Sequence, residues 1–595
     1  CTTVYPFDAK DWNTTYHNDE EWCFMKNRMD YVKDLIVASY VSEDLKYMQK
    51  AKSWILAWIL AHPYMKSEPS TRTLDSGIRM QNIMETMIFL YHKNLLDDQE
   101  LIVIIKSLQQ HVDYMKASYV AKYTLSNWGS IQTCAILNVL PLWEENPLQH
   151  PIYQWASKEL QAQIEIQVYP DGIHWEQSTM YHVEVLIYIL RYIQYQRFYH
   201  VQVSEEVVNV ATRMMDALYV LATPEMKIDT FGDSDRVDIS ELCTLAGTIL
   251  KDNRWKYRTC KSTSSDVYVM LGTNAVIEYQ RLCEQVPRNL VYDGEDSGIF
   301  TFRDGWEDTS SYTMITHGSL GSGHGHSDNL HVSFYHKGKA VLIDAGRYTY
   351  REDEKLRVYL KGVHGHNGIL VDEKTNCLPS DSWSYQDFGI PLKPYVKHLD
   401  NIHYFEGTML GHDPLQVWTR KVITIDPSIW MIVDEIKQDG IHTLKQFFHL
   451  DPSCEITKTI FGYQSVNADM DMYIDGETNC RNDVCSLRYN DVCEHQVLIS
   501  KREFEDSTQQ IHSFVKCGIQ VKKAIVYQDN VAFSEDVCSA RTFILSNQES
   551  YTIAIFHKEI YKGKKICYIH DVPFHAKAIV LHEVDGIKKL IRIKM

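Results

Sequence analysis

The hydrophobic pattern of the chain changes once, near residue 285, and this change limits the folds that the chain can adopt. Between about residues 31 and 250 the apolar side chains recur at helical spacing, and the segment 45–59 carries this spacing up to a stop at Pro63. Six further segments have the same spacing: 74–91, 98–116, 131–142, 153–166, 181–196 and 205–221. Long helices joined by short connectors predict stacked helical hairpins.

Short runs of alternating hydrophobicity begin after Gln285 and predict β-strands. These runs cover residues 299–302, 312–315, 332–334, 340–343, 418–425, 430–433, 444–450, 497–500 and 552–556. Lys337-Gly338 separates two of them and predicts a hairpin turn. A helical half followed by a β half predicts an α+β multidomain protein rather than an alternating α/β sheet.

The length of 595 residues exceeds what one hydrophobic core usually supports, so we expect separate domains. The change of pattern predicts a helical domain at 1–286 and an antiparallel β domain at 287–515. A C-terminal β-sheet portion is expected at 516–595.

The charge balance excludes one large class of partners. The net charge is −18, so the chain has no global excess of Lys and Arg with which to displace counterions from nucleic acid. A local basic cleft can still coexist with an acidic exterior. The longest apolar run, 54–61, is too short to span a bilayer. We therefore expect a soluble monomer or homodimer, cytoplasmic or periplasmic in a bacterium, with no nucleic-acid or membrane partner.

The 14 cysteines show no paired C-x-x-C spacing of a structural zinc site. Cys480, Cys485 and Cys493 form the closest cluster, which we interpret as reduced thiols. So many scattered cysteines favour a reducing compartment. The start at Cys1 is compatible with removal of an export signal.

A glycine-rich segment in the β half combines several metal-binding side chains. His324 and His326 form an H-x-H pair, and in extended geometry this spacing places both imidazoles on one face. Asp344 follows a predicted strand, and His366 lies in the next loop. Imidazole nitrogen and carboxylate oxygen suit zinc, with manganese or calcium as alternatives. We predict His326, Asp344 and His366 as the ligands of one divalent ion, with His364 competing for the third position.

Two segments of the helical half are unusually polar and aromatic. Asn127 stands between Ser126 and Trp128 at a predicted helix start, where a helix-capping role is the alternative interpretation. The segment 169–182 begins with a Pro-Asp-Gly turn and brings Tyr181 and a following histidine to the start of another helix. Packing is the alternative role for Tyr181.

Four strings carry a resemblance: Gly-His-Gly-His-Ser-Asp at 323–328, Asp-Ala-Gly-Arg-Tyr-Thr-Tyr at 344–350, His-Asn at 366–367, and the segment 171–182. Together with 71–79 and 231–235, they resemble the heparinase II/III family of polysaccharide lyases over about residues 70–375. The resemblance implies an N-terminal incomplete α/α toroid joined to an antiparallel β-sandwich, with a substrate cleft between them. It also implies β-elimination on an acidic polysaccharide that contains uronic acid.

The resemblance implies roles for individual residues. Asn127 matches the family's carboxylate-neutralising residue, Tyr181 its acid/base and His324 its catalytic histidine. The implied metal ion, held by the three ligands predicted above, mainly braces the domain junction. Two departures are Trp128, where some members carry a second catalytic histidine, and His-Asn-Gly from His366, where Asn-Thr is commoner.

Further residues are expected to contact the substrate, since arginine presents a planar fork to carboxylate or sulfate. The substrate-binding candidates are Arg79, His174, Glu176, His182, Arg236 and Arg347. Surface salt bridges are the alternative role for the arginines.

Three classes of function remain open at this point. A lyase acting on heparin or heparan sulfate is favoured, with alginate, hyaluronan or chondroitin as other substrates. A glycoside hydrolase would need two carboxylic acids beside the bond, for which Asp171 and Glu176 are available. The third class is a non-catalytic carbohydrate-binding protein.

Overall fold

The computed structural model describes residues 10–259, 265–412, 414–425, 427–560 and 563–595. Its first half is helical. The helices are α1 (Glu20–Arg28), α2 (Tyr31–Ser42), α3 (Lys46–Ala61), α4 (Thr73–His92), α5 (Asp98–Ser118), α6 (Asn127–Val139), α7 (Pro151–Gln167), α8 (Thr179–Phe198), α9 (Glu205–Leu221), α10 (Ser240–Leu250), α11 (Ser265–Leu271) and α12 (Thr273–Gln280). Two short strands, β1 (Lys227–Ile228) and β2 (Val237–Asp238), pair between α9 and α10.

The helices stack as hairpins in two layers. Helices α4, α6 and α8 pack side by side, while α5, α7 and α9 return the chain outside them. The inner helices therefore run in the same direction, and their N-termini lie at one end of the stack. The predicted incomplete toroid of helical hairpins is confirmed.

Capping explains where the helices begin. Asp97 and Glu100 form a reciprocal capping box at α5, and Ser204 caps α9 through the backbone N–H of Val207. Ser126 accepts a hydrogen bond from the backbone of Trp128 and caps α6. These signals are local, and the seven predicted segments agree with α3 to α9 to within a few residues.

The second half is antiparallel β structure. Strands β3 (Val291–Gly294), β4 (Ile299–Arg303), β5 (Tyr312–Thr316), β6 (Val332–His336) and β7 (Lys339–Leu342) form the first sheet in chain order. They are followed by β8 (Ile369–Val371), β9 (Cys377–Pro379), β10 (Tyr385–Phe388), β11 (Ile390–Leu399), β12 (Ile402–His412), β13 (Leu415–Ile425), β14 (Ile429–His449), β15 (Ile456–Thr459), β16 (Gly462–Ser465), β17 (Met470–Tyr473), β18 (Glu477–Arg488) and β19 (Asp491–Lys516). Strands β9 and β10 pair with each other, and the rest of this group forms a ten-stranded sheet.

The C-terminal strands are β20 (Gln520–Ala524), β21 (Tyr527–Gln528), β22 (Val531–Ala532), β23 (Cys538–Ile544), β24 (Glu549–Phe556), β25 (Cys567–Ile569), β26 (Val572–Phe574), β27 (Ala578–Val584) and β28 (Ile587–Lys594). They form a five-stranded and a four-stranded sheet. The predicted boundary at 286/287 falls between α12 and β3, and the boundary at 515/516 falls at the end of β19.

The large sheet is buried on both faces. Phe334 of the first sheet stacks on Trp430 of β14 with ring centroids 4.7 Å apart. On the other face, Met431 belongs to a second apolar cluster with Ile553 and Val580 of the C-terminal sheet. Sheet-on-sheet packing of this kind is a β-sandwich, as predicted.

In the β half, one predicted turn is confirmed, two predicted strands form a single strand, and one helix was not predicted. Lys337 and Gly338 turn between β6 and β7 with φ angles of 48° and 78°, which confirms the predicted hairpin turn. The runs 430–433 and 444–450 were predicted as two strands, but both belong to β14, whose register shifts between Lys437 and Ile441. A helix, α13 (Lys355–Lys361), lies unpredicted inside the β half.

A separate apolar cluster joins the two halves. Ile173 and Phe231 of the helical half are buried with Tyr312, Ile343 and Leu360 of the β half. This cluster fixes the end of the helical stack against β5 and β7. Among the described residues, no helix is both long and apolar enough to cross a membrane.

Candidate active site

A cleft of about 510 Å³ lies where the helical stack meets the β half. Asn127 and Tyr181, from the first turns of α6 and α8, line its helical wall. His324 and Trp383 line the opposite β wall. Because the inner helices start at the same end of the stack, residues 54 positions apart come together there.

Glu176 holds Asn127 on the helical wall. One carboxylate oxygen of Glu176 accepts a hydrogen bond from the Asn127 backbone N–H at 3.0 Å, and the other accepts one from its Nδ2 at 2.8 Å. Glu176 is buried and lies 3.9 Å from Nε2 of His324. The Asn127 amide is therefore fixed beside the imidazole, although it begins a helix that Ser126 caps.

Tyr181 stacks directly on His324, with ring centroids 3.6 Å apart and planes 17° apart. Its hydroxyl lies 2.9 Å from that of Tyr350, to which Arg347 donates at 2.6 Å. Burial raises the pKa of Tyr181 above its usual value, and the nearby Arg347 only partly opposes this shift. The phenol is therefore protonated and able to donate a proton.

His324 and His326 do not share one face of an extended segment, so that expectation was wrong. The chain turns here, with a hydrogen bond from the Gly325 N–H to the Ser322 carbonyl. Both imidazoles nevertheless meet on one carboxylate, Asp233, which lies 3.0 Å from Nδ1 of His324 and 2.8 Å from Nε2 of His326.

Asp233 is a buried anion with several donors. Arg357 donates to both of its oxygens. Burial alone would raise the pKa of Asp233, but Arg357 and the two histidines hold it well below its usual range. When His324 donates its Nδ1 proton to this carboxylate, its Nε2 keeps a lone pair.

His326, Asp344 and His366 form a buried group in which one ligand atom from each lies within 4.8 Å of the others. Nδ1 of His326 and Nε2 of His366 are buried without a hydrogen-bond partner. Burial lowers the pKa of His326 to about 4, so its imidazole is in the neutral form that binds metals. Two unpartnered imidazole nitrogens beside a carboxylate fit a divalent cation.

A carboxylate outside this group orients His326. Nε2 of His326 faces Asp233, as a metal-binding histidine commonly faces a carboxylate through its other nitrogen. His364, the competing candidate, is not part of the group, because it stacks on Tyr359 beside a separate cavity.

The predicted substrate contacts divide into two sets. Arg347 lines the cleft and lies 2.9 Å from the carboxylate of Asp235, whereas Glu176 is buried against Asn127 and is not part of the cleft lining. Arg79 is instead buried in the helical core, where it donates to the backbone carbonyl of Asn27. Arg236 forms an ion pair with Asp451 at 3.2 Å between the two halves.

The two histidines also lie behind the cleft. His174 is fully buried next to Oε1 of Gln167, and burial lowers its pKa well below the usual value. His182 contacts the backbone carbonyl of Met214, and burial lowers its pKa to about 4. Arg79, Arg236 and these two histidines do not line the cleft, so their placement corrects the expectation that they contact substrate.

Four residues of the cleft region had no predicted role: Asp233, Arg357, Tyr350 and Trp383. The Gly-Asp-Ser-Asp string at 232–235 was noticed, but nothing in it reveals contacts with histidines about 90 residues away. Arg357 stands on the unpredicted helix α13.

Fold and site together define a protein with a helical half, a β half, a composite cleft between them and a buried His-Asp-His group. Two family models match the chain: heparinase II/III N-terminus at residues 3–251, and heparinase II/III-like, C-terminal at residues 287–512. The chain belongs to the heparinase II/III family.

Relatives are distant in sequence. The heparin-sulfate lyase of Pedobacter heparinus is 21% identical over 440 residues, which cover 71% of this chain and 61% of that protein. The heparan sulfate lyase HepC mutant from the same organism has a TM-score of 0.67 at 16% identity, covering 98% of this chain and 84% of that one. A crystal structure of heparinase III has a TM-score of 0.69 at 14% identity, and the match covers 96% of this chain and 85% of that one.

Proposed function

We propose that this protein is a polysaccharide lyase that cleaves a uronic-acid-containing glycosaminoglycan by β-elimination. The observation that carries this proposal is the stack of Tyr181 on His324 beside the Asn127 amide. Heparan sulfate or heparin is the favoured substrate, because the relatives named above are heparin or heparan sulfate lyases.

The first step removes the proton from C5 of the uronate. This proton is weakly acidic, so the negative charge that develops on the carboxylate side must be stabilised. Nδ2 of Asn127 carries a second proton besides the one given to Glu176, and we assign that proton to the substrate carboxylate. Nε2 of His324 takes the C5 proton, and Asp233 stabilises the resulting imidazolium through Nδ1.

The second step breaks the bond between C4 and the glycosidic oxygen. A C4–C5 double bond forms as the electron pair of the C5–H bond moves, and the leaving oxygen takes the phenolic proton of Tyr181. The raised pKa of Tyr181 supports the role of acid rather than first base. Arg347, linked to Tyr181 through Tyr350, stabilises the phenolate until solvent restores its proton.

His326, Asp344 and His366 would hold the divalent ion, and zinc suits this donor set best. A bound ion there supplies positive charge and cross-links the segments that carry its ligands. His326 also contacts Asp233, so one of these ligands helps to hold the carboxylate that orients His324.

Neither of the two acids considered for a hydrolase, Asp171 and Glu176, is free. Glu176 is engaged with Asn127, and Asp171 accepts a hydrogen bond from the Ser297 backbone at 2.8 Å within the interdomain turn. A hydrolase needs one carboxylic acid on each side of the bond, one of them able to give up a proton. A purely binding protein would not need a protonated phenol stacked on an imidazole.

Product chemistry tests the proposal. Heparan sulfate, heparin, hyaluronan, chondroitin and alginate are each digested, and ultraviolet absorbance and product mass are recorded, with Tyr181→Phe as the control. We expect absorbing products that lack the mass of one water relative to hydrolysis products, with heparan sulfate or heparin cleaved fastest. Saturated products, or intact polymer in every digestion, would contradict the proposal.

A further inference from the structure

Trp383 is an exposed aromatic side chain in the cleft, and the proposed mechanism gives it no role. It lines the cleft at the turn between β9 and β10, and 42% of it is exposed. Resting on the function proposed above, we infer that Trp383 is a stacking platform for the hexosamine ring next to the uronate that is cleaved.

The turn that carries Trp383 is firmly held. A carboxylate oxygen of Asp381 accepts hydrogen bonds from the backbone N–H groups of Trp383 and Ser384, both at 2.7 Å. The carbonyl of Ser382 accepts from Arg357 at 2.9 Å and from Lys361 at 2.7 Å. An exposed indole is thus presented in one orientation, which lowers the entropy cost of binding a ring against it.

The anchors of this turn also belong to the site. Arg357 and Lys361 are both fully buried on α13, and Arg357 also donates to both carboxylate oxygens of Asp233. One guanidinium therefore fixes both the carboxylate that orients His324 and the turn that carries Trp383. The position of the indole relative to the imidazole therefore depends in part on a buried cation that contacts both segments.

The indole lies beside the reacting groups without joining their stack. Its ring meets His324 edge-on, with centroids 5.5 Å apart and planes 86° apart. It lies 4.7 Å from the ring of Tyr350. A sugar whose carboxylate reaches Asn127 occupies the space over His324, so the adjoining sugar is the one within reach of Trp383.

The charges in the cleft favour an uncharged contact at this position. The arginines in the described cleft lining each face a carboxylate: Arg28 and Arg72 lie 2.8 Å and 2.6 Å from Asp75, and Arg347 lies 2.9 Å from Asp235. These cations are already neutralised, so the substrate needs other contacts for affinity. The C–H face of a pyranose ring is apolar, and a rigid aromatic ring offers it a large contact area.

Kinetics of Trp383→Ala and Trp383→Phe on heparan sulfate test the inference. We expect Trp383→Ala to raise KM about tenfold while kcat stays within about threefold of wild type, since the contact supports binding rather than proton transfer. Trp383→Phe should keep KM within about threefold. Phe461→Ala is the matched control, because Phe461 is an exposed aromatic residue, 71% accessible, on a turn outside the cleft.

Binding provides a second readout. Heparan sulfate oligosaccharides are titrated by calorimetry into Tyr181→Phe with and without Trp383→Ala, and affinity should fall about tenfold. If wild type cleaves the polymer but Trp383→Ala leaves KM and affinity unchanged, the platform is wrong and the proposed function stands. A fall in kcat alone would overturn the platform as well, because it would assign Trp383 to positioning His324. If wild type neither cleaves nor binds any uronate polymer, both proposals fail.

Discussion

The two walls of the cleft hold their functional groups in different ways. On the helical wall, Asn127 and Tyr181 occupy the first turns of packed helices, so the helix backbone sets where their side chains point. On the β wall, His324 belongs to an irregular turn and depends on Asp233 and Arg357. A regular element places a side chain by itself, whereas a turn requires external charged anchors.

The anchors connect the two halves of the molecule. Asp233 lies in the helical half between β1 and β2, yet its carboxylate holds two histidines of the β half. The β wall is therefore assembled only when the halves are docked. We expect loss of an anchor to disturb this wall more than the helical wall.

Removing the proton donor of the helical wall should have the largest effect. Tyr181→Phe keeps the ring that stacks on His324 but lacks the hydroxyl, so kcat should fall by about 10³-fold or more. Thermal unfolding should be nearly unchanged. Steady-state absorbance assays check the rate, and full activity would remove Tyr181 from the mechanism.

The anchors give the direct contrast between walls. Asp233→Asn leaves Arg357 without its buried anion and weakens the orientation of His324, so kcat should fall about 10²-fold. Loss of a buried ion pair should also lower stability by about 3 kcal/mol. Activity and denaturant unfolding measure the two effects.

Glu176→Gln is the matched change on the helical wall. We expect about a tenfold loss of kcat with little change in stability, because α6 still holds the Asn127 backbone. Glu159→Gln, which alters a carboxylate bonded to Thr124 away from the cleft, controls for the loss of charge. If Asp233→Asn and Glu176→Gln lost equal amounts of stability and of kcat, the two walls would not differ in how they hold their functional groups.

The metal group should affect stability more than chemistry. His326→Ala is expected to lose the bound divalent ion and to lower the melting temperature, since metal occupancy is linked to folding. His364→Ala, which changes a partly buried histidine outside the group, should retain the ion. Elemental analysis and thermal unfolding decide, and unchanged metal content in His326→Ala would refute the ligand assignment.

The smallest expected effect concerns His111, which is buried in the helical half. Burial, with Arg79 adding to it, lowers the pKa of His111 to about 3, while in the unfolded chain it is near 6.5. The unfolded state therefore binds the extra proton first, and stability is lost as pH falls from about 6.5 towards 3. Relative to His111→Gln, wild type should lose about 3 °C more in melting temperature between pH 7 and pH 5. If the melting temperatures of wild type and His111→Gln fell equally between pH 7 and pH 5, the lowered pKa of His111 would be contradicted.

The sequence predicted the helical half well because its signals are local. Apolar spacing and caps such as Ser126 and Asp97 lie within a few residues of what they determine. The order of the helical and β halves and the grouping of His326, Asp344 and His366 were also predicted from the sequence.

The rest depended on contacts distant in sequence. His324 meets Asp233 across 91 residues and Arg357 meets Asp233 across 124, and no local pattern marks such pairs. Arg79 is of a residue type that commonly binds anions, but it lies inside the helical core and donates to the backbone of Asn27. Residue type suggested chemistry, and burial decided where that chemistry could act.

In the proposed mechanism the two walls form one catalytic unit, in which His324 removes a proton and Tyr181 supplies one. A double-mutant cycle with Tyr181→Phe, His324→Ala and the combined variant tests it through kcat. We expect the combined variant to be no slower than the slower single variant, because each loss alone disables the same reaction. Losses that multiply would contradict a single unit and would assign the two residues to independent roles.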